Sequence, residues 1–79
     1  MRVKLGKWNK SLRKAREAMK LSLAEATRLL YGDYRIKMHR SNLGKVERGE
    51  SDLTVTRFQA ICDIYSVSAD WVLGLSLKD

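Results

Sequence analysis

Apolar residues recur along this chain at helical rather than strand spacing. Trp8, Leu12, Ala15 and Met19 are separated by 4, 3 and 4 positions, one stripe of a helix from about Lys7 to Met19. Lys10, Arg13, Lys14 and Glu17 fall on its other side, as a solvated face requires. A second stripe, Val55, Phe58, Ile61, Cys62 and Tyr65, is spaced at 3, 3, 1 and 3 and predicts a helix capped by Thr54. Polar punctuation marks three shorter helices. Ser22 with Glu25 three residues on is a capping box, so a helix starts there. It runs to about Leu30 and turns at Tyr31-Gly32-Asp33, where Gly32 tolerates positive φ. Residues 33–40 alternate in polarity over Tyr34, Ile36 and Met38, which reads as an extended loop lying on the core. A third helix starts near Arg40 or Ser41 and ends at Gly49, with Leu43 and Val46 facing inward. Ser68 caps a fifth, with Val67 and Val72 as a hydrophobic staple, Trp71 adding bulk and Gly74 stopping it.

Five short helices with tight connections therefore account for the chain, an all-α architecture with no proline, repeat or linker to divide it. Its 79 residues make one domain, 1–79, and leave little material for a core, since a chain this small buries only about 60% of its unfolded surface. With 44% hydrophobic and 32% charged residues it has the composition of a folded globular protein.

Charge changes the picture more than composition does. The net charge of +7 is divided unevenly: residues 1–48 hold 14 of the 16 Lys and Arg against Glu17, Glu25, Asp33 and Glu47, giving +10, and residues 49–79 carry −3. A polyanion would meet the first part of the chain, leaving the last part for the core or another subunit. No apolar run approaches the roughly 20 residues of a membrane span, and the basic N-terminus lacks the apolar stretch of a secretion signal, so the expectation is a cytoplasmic protein with no membrane partner. Cys62 and His39 are the only residues of their types, which excludes a disulfide within the chain and a Cys/His metal cluster. There is no Gly-rich phosphate loop, nucleophile elbow or usable Ser/His/Asp set, so neither catalysis nor a cofactor is expected.

Three stretches, in order, resemble the Cro and phage-repressor type of helix-turn-helix domain, the XRE family. They are Leu12-Arg13-Lys14-Ala15-Arg16 followed by Leu21-Ser22 and Glu25; Ser41-Asn42-Leu43-Gly44-Lys45-Val46-Glu47-Arg48-Gly49; and Tyr65-Ser66-Val67-Ser68-Ala69-Asp70-Trp71-Val72-Leu73-Gly74. The likeness covers about residues 12–75. It implies a five-helix, lambda-repressor-like domain that binds double-stranded DNA, with the Ser22–Leu30 helix crossing the DNA backbone and helix 41–48 in the major groove. Arg40, Ser41, Asn42 and Lys45, at the start of that helix, have the chemistry to read base edges. Phosphate contacts are expected from Arg48, from backbone N–H groups at the Ser22 helix start, and from Arg35, Lys37 and His39. Taken singly, Lys10, Arg13, Lys14 and Lys20 read as solvated surface. The resemblance also implies an ion pair between Arg16 and Glu47 that fixes the recognition helix. Gly44 in a helix interior points either to close approach to DNA or to close packing. The sequence departs from the family in its longer connector before the third helix and in Leu23, where many members carry a phosphate-binding Gln.

The resemblance further implies a repressor of phage or prophage immunity type, acting as a homodimer on a two-fold symmetric operator. The apolar residues Trp71, Leu73, Leu75 and Leu77 are the candidate dimer interface. Two other functions fit the same scaffold: a protein-interaction module using that apolar tail, and an antitoxin that binds both DNA and a toxin. The N-terminal excess of positive charge favours DNA. RNA binding lacks interleaved aromatics for base stacking, because Trp8, Phe58, Tyr65 and Trp71 sit at core-like spacing.

Overall fold

The first helix of the chain is closed at its C-terminus by a left-handed lysine, and the later helices repeat such local solutions at both ends. A computed structural model describes residues 6–74. In order, these form α1 (Gly6–Ala18), α2 (Leu23–Tyr34), α3 (Arg40–Glu47), α4 (Val55–Ile64) and α5 (Ala69–Leu73), with no strand among the described residues. Ser22, Thr54 and Ser68 each cap a helix, their hydroxyls accepting from the N–H groups of Glu25 (3.0 Å), Arg57 (3.2 Å) and Trp71 (3.0 Å). Such caps contribute about 1 kcal/mol each. Beyond the ends of α1, α3 and α4, Lys20, Gly49 and Ser66 adopt φ of 59°, 81° and 59°. The residue after each then donates back over five positions, Leu21 to Arg16, Glu50 to Lys45 and Val67 to Cys62, satisfying carbonyls that a helix end leaves open.

α2 departs from the sequence expectation. It does not turn at Gly32 but continues to Tyr34, and the left-handed residue that ends it is Arg35, with φ of 56°. Glycine in a helix costs about 1 kcal/mol, and two contacts beyond it favour continuation. The Tyr34 hydroxyl donates to the Asp63 carboxylate on α4, and the Arg35 guanidinium stacks 5.4 Å from the centre of the Tyr31 ring. The extended connector shrinks to residues 35–39, with Ile36 and Met38 half-buried against the core.

The core draws on every helix: Leu12 and Ala15, Ala26 and Leu30, Leu43 and Val46, Ile61, Cys62 and Tyr65, and Val72. α2 lies against α3 and α4, α1 against α3 and α5, and α4 against α5. Trp8 meets Phe58 edge-on at 5.7 Å. Three residues expected inside are not. Met19 lies past the end of α1, Val55 is the first residue of α4 and is 79% exposed, and Trp71 is 47% exposed because the short α5 turns Val72 inward instead. Burial pushes the Cys62 thiol up to about 11. No described helix is long and apolar enough to cross a membrane.

Candidate nucleic-acid interface

α3 has two unlike faces. Leu43, Gly44, Val46 and Glu47 are buried, whereas Ser41, Asn42, Lys45 and Arg48 are exposed together on the opposite side. Ser41, Lys45 and Arg48 follow one another at four and three residues, and Asn42 lies beside them, so these side chains share one surface. Arg40 does not belong to this row. It is the first residue of α3, exposed, and precedes the buried Leu43 and Gly44 by three and four residues, so its side chain leaves from the end of the helix. Arg35, Lys37 and His39 are also exposed, along the connector leading into α3.

The inward face is held at its C-terminal end. Glu47, 4% exposed, receives the Arg16 guanidinium through both carboxylate oxygens, Nε to Oε2 at 2.9 Å and Nη2 to Oε1 at 3.0 Å. The Tyr65 hydroxyl donates to Oε2 at 3.0 Å, and Arg16 also donates from Nη1 to the Leu21 carbonyl at 2.8 Å. One carboxylate thus ties α3 to α1, to the end of α4 and to the turn before α2. Burial raises the Tyr65 phenol far above its ordinary range, and the adjacent Glu47 charge adds to this. The hydrogen bond to Glu47 holds Arg16 still more firmly protonated. A second tie was not expected from the sequence: buried Asn9 donates from its side chain to the Val46 carbonyl. Its signal was a polar residue three before Leu12 and seven before Arg16, on the inward face of α1.

A Cβ at Gly44 would stand 3.2 Å from Arg48 Nη1, the far end of an exposed side chain, and 3.4 Å from Leu23 Cδ1, an ordinary contact, so helix packing alone does not demand the glycine.

Two expected phosphate ligands already have partners. Arg48 pairs with Glu50, Nε to Oε2 at 3.0 Å, both half-exposed, and the guanidinium holds the Glu50 carboxyl below the usual carboxylate range. At the start of α2 the capping box uses two N–H groups: Ser22 N–H donates to Glu25 Oε1 at 2.8 Å, and Glu25 N–H to Ser22 Oγ. The Leu23 and Ala24 N–H groups remain without an acceptor among the described residues. His39 has a structural task as well. It is the N-cap of α3, with Nδ1 accepting from Ser41 N–H at 3.1 Å. Of the apolar tail, Trp71 and Leu73 lie on α5, exposed and half-buried respectively, while Leu75 and Leu77 lie outside the described residues.

No curated protein and no solved structure matches the chain significantly. A family profile described as helix-turn-helix matches residues 12–72, spanning α2, the connector and α3 with most of α1 and all of α4. With the five helices of its described residues and the α2–α3 unit, the chain belongs to the XRE-type helix-turn-helix family of DNA-binding regulators.

Proposed function

We propose that the chain is a sequence-specific, double-stranded-DNA-binding repressor of the phage or prophage immunity type that inserts α3 into the major groove. The observation that carries this reading is the division of α3 into an exposed face of Ser41, Asn42, Lys45 and Arg48 and a buried face anchored through Glu47. Asn has the donor and acceptor geometry for adenine, Lys and Arg for guanine, and Ser for either. In this reading Ser41, Asn42 and Lys45 contact base edges from the groove-facing row, and Arg40 reaches them from the helix end. Arg48, Arg35, Lys37, His39 and the N–H groups at the Ser22 helix start hold phosphates. At the start of α2 those groups are the Leu23 and Ala24 N–H.

The protein acts as a homodimer on a two-fold symmetric operator whose half-sites lie about one helical turn apart. The exposed Trp71, with Leu73, supplies the apolar contact between subunits. Charge supports the assignment of faces, because the +10 of residues 1–48 lies in the part of the chain that contains α1 to α3.

A binding selection from a random duplex pool at fixed salt tests the reading. The expected result is a two-fold symmetric site bound about 10³-fold or more above scrambled DNA. If no site is enriched and all affinity disappears with rising salt, the basic surface is a generic polyanion patch and the proposal fails. Sedimentation of the free protein and of its DNA complex tests the homodimer; one monomer per selected site removes it.

A further inference from the structure

His39 occupies an unusual position for a cap, with its ring on the residue whose side chain is placed to read DNA. Nδ1 accepts the Ser41 backbone N–H at 3.1 Å and lies 2.8 Å from Ser41 Oγ. The backbone N–H is a fixed donor, so as a cap Nδ1 presents its one in-plane lone pair, shared between the Ser41 N–H and Oγ, and the ring carries its proton on Nε2. With Nδ1 an acceptor, a separation of 2.8 Å from Oγ is favourable only when the hydroxyl hydrogen lies between the two atoms. The Ser41 hydroxyl is thereby committed as a donor to the ring, and its lone pairs face outward. Of the other N–H groups in the first turn, Asn42 and Leu43 both donate to the His39 carbonyl.

We infer that His39 is a specificity-determining positioning residue: its neutral ring caps the recognition helix and fixes Ser41 as a hydrogen-bond acceptor toward the base edge. This rests on the proposed reading of α3 as the recognition helix. In the major groove an outward acceptor selects the amino groups of adenine N6 or cytosine N4 and disfavours guanine O6 and N7 and thymine O4. The same tautomer leaves Nε2–H on the exposed side of the ring as a donor to phosphate.

The free protein is examined first, by ¹⁵N NMR of the imidazole and by amide exchange at pH 8. The expected result is an unprotonated Nδ1 and a Ser41 amide protected in the parent and in His39→Asn, whose side-chain oxygen still caps, but not in His39→Ala. Sites are then selected from the random pool at pH 8. The parent and His39→Asn are expected to prefer an amino-bearing base at one position per half-site, about fivefold, the value of one neutral hydrogen bond. His39→Ala and Ser41→Ala are expected to lose that preference while remaining folded, which melting curves check. A protonated Nδ1 at pH 8, or an unchanged preference in both His39→Ala and Ser41→Ala, overturns the inference. A parent that selects no site overturns the sequence-specific reading, while the ring tautomer and the Ser41 exchange still decide the cap.

Discussion

At the residue scale the molecule depends most on Glu47. Its carboxylate is buried, so its charge is tolerable only because Arg16 and Tyr65 both donate to it. Glu47→Ala leaves the half-buried Arg16 and the buried Tyr65 hydroxyl without their acceptor, and the expected loss is about 3–5 kcal/mol. Tyr65→Phe removes one hydrogen bond to a charged group and is expected to cost about 1.5–3 kcal/mol. Asp33→Ala, at an exposed position, serves as the control and stays within about 0.5 kcal/mol of the parent. Urea melts rank the three, and a Glu47→Ala protein as stable as the Asp33→Ala control would remove the network from the account of the fold. The Arg16–Glu47 pair was legible only through the family resemblance, because 31 positions separate two charges that periodicity alone places on no common face. The Tyr65 hydroxyl was not legible at all. Its ring fits the α4 stripe, and an apolar stripe says nothing about where a phenol oxygen ends.

Tyr65 and Cys62 also give the fold an alkaline limit. Both acids are raised by burial, so the folded protein retains protons that the unfolded chain has released. Their contribution to stability is complete below the unfolded values and falls as pH rises. For Cys62 the window opens near its ordinary 9.0 and extends to about 11, and for Tyr65 it opens near 10.0. Urea midpoints are therefore expected to decline from pH 9 upward, and Tyr65→Phe should make that decline shallower. A flat profile to pH 11 in the parent contradicts the burial of both groups.

At the scale of elements, two glycines that look alike in sequence call for opposite outcomes. Gly32 lies inside α2, with no positive φ and nothing within 4 Å of an added Cβ, so Gly32→Ala is expected to stabilise by about 0.5–1 kcal/mol. Gly74 caps α5 at φ 72°, where alanine is strained, and Gly74→Ala should cost about 1–2 kcal/mol. Thermal melts of the two variants are expected to move in opposite directions. A destabilised Gly32→Ala would restore the turn at Tyr31-Gly32-Asp33. The starts of helices were read well from sequence because capping is local: Ser22, Thr54 and Ser68 each have an acceptor oxygen within reach of an N–H three residues on. The end of α2 was missed because tertiary contacts decide it. Tyr34 finds Asp63 some 29 residues away, and Arg35 accepts a left-handed backbone while stacking on Tyr31. Val55 and Trp71 failed for a related reason. Spacing assigns a residue to a face, but in the first turn of α4 or in a five-residue helix that face extends past the core.

At the scale of the whole molecule, charge and shape give separable contributions to DNA binding. The excess positive charge of α1 to α3 and their connector acts on any duplex through counterion release, and affinity from that source falls steeply with salt. In the proposed reading, the exposed row on α3 acts only on a matching sequence. Asn42→Ala is therefore expected to lose about 5- to 150-fold on the selected site, the range of one good base contact, with little change on scrambled DNA. Arg48→Ala is expected to weaken both alike and to make the salt dependence shallower by about one ion. Glu50 sharpens the test, because it already neutralises Arg48 in the free protein. A phosphate bound by Arg48 must replace that carboxylate, so Glu50→Gln should tighten binding to selected and scrambled DNA equally. In an Arg48→Ala background the same substitution should lose most of its effect, since a charge acting only through the general field would behave identically with or without its partner. Salt titrations of the parent, both single variants and the double variant measure this coupling. Equal gains from Glu50→Gln in both backgrounds would assign Glu50 to the overall field and remove Arg48 from the phosphate contacts, whereas equal losses for Asn42→Ala on both DNAs would remove Asn42 from base recognition.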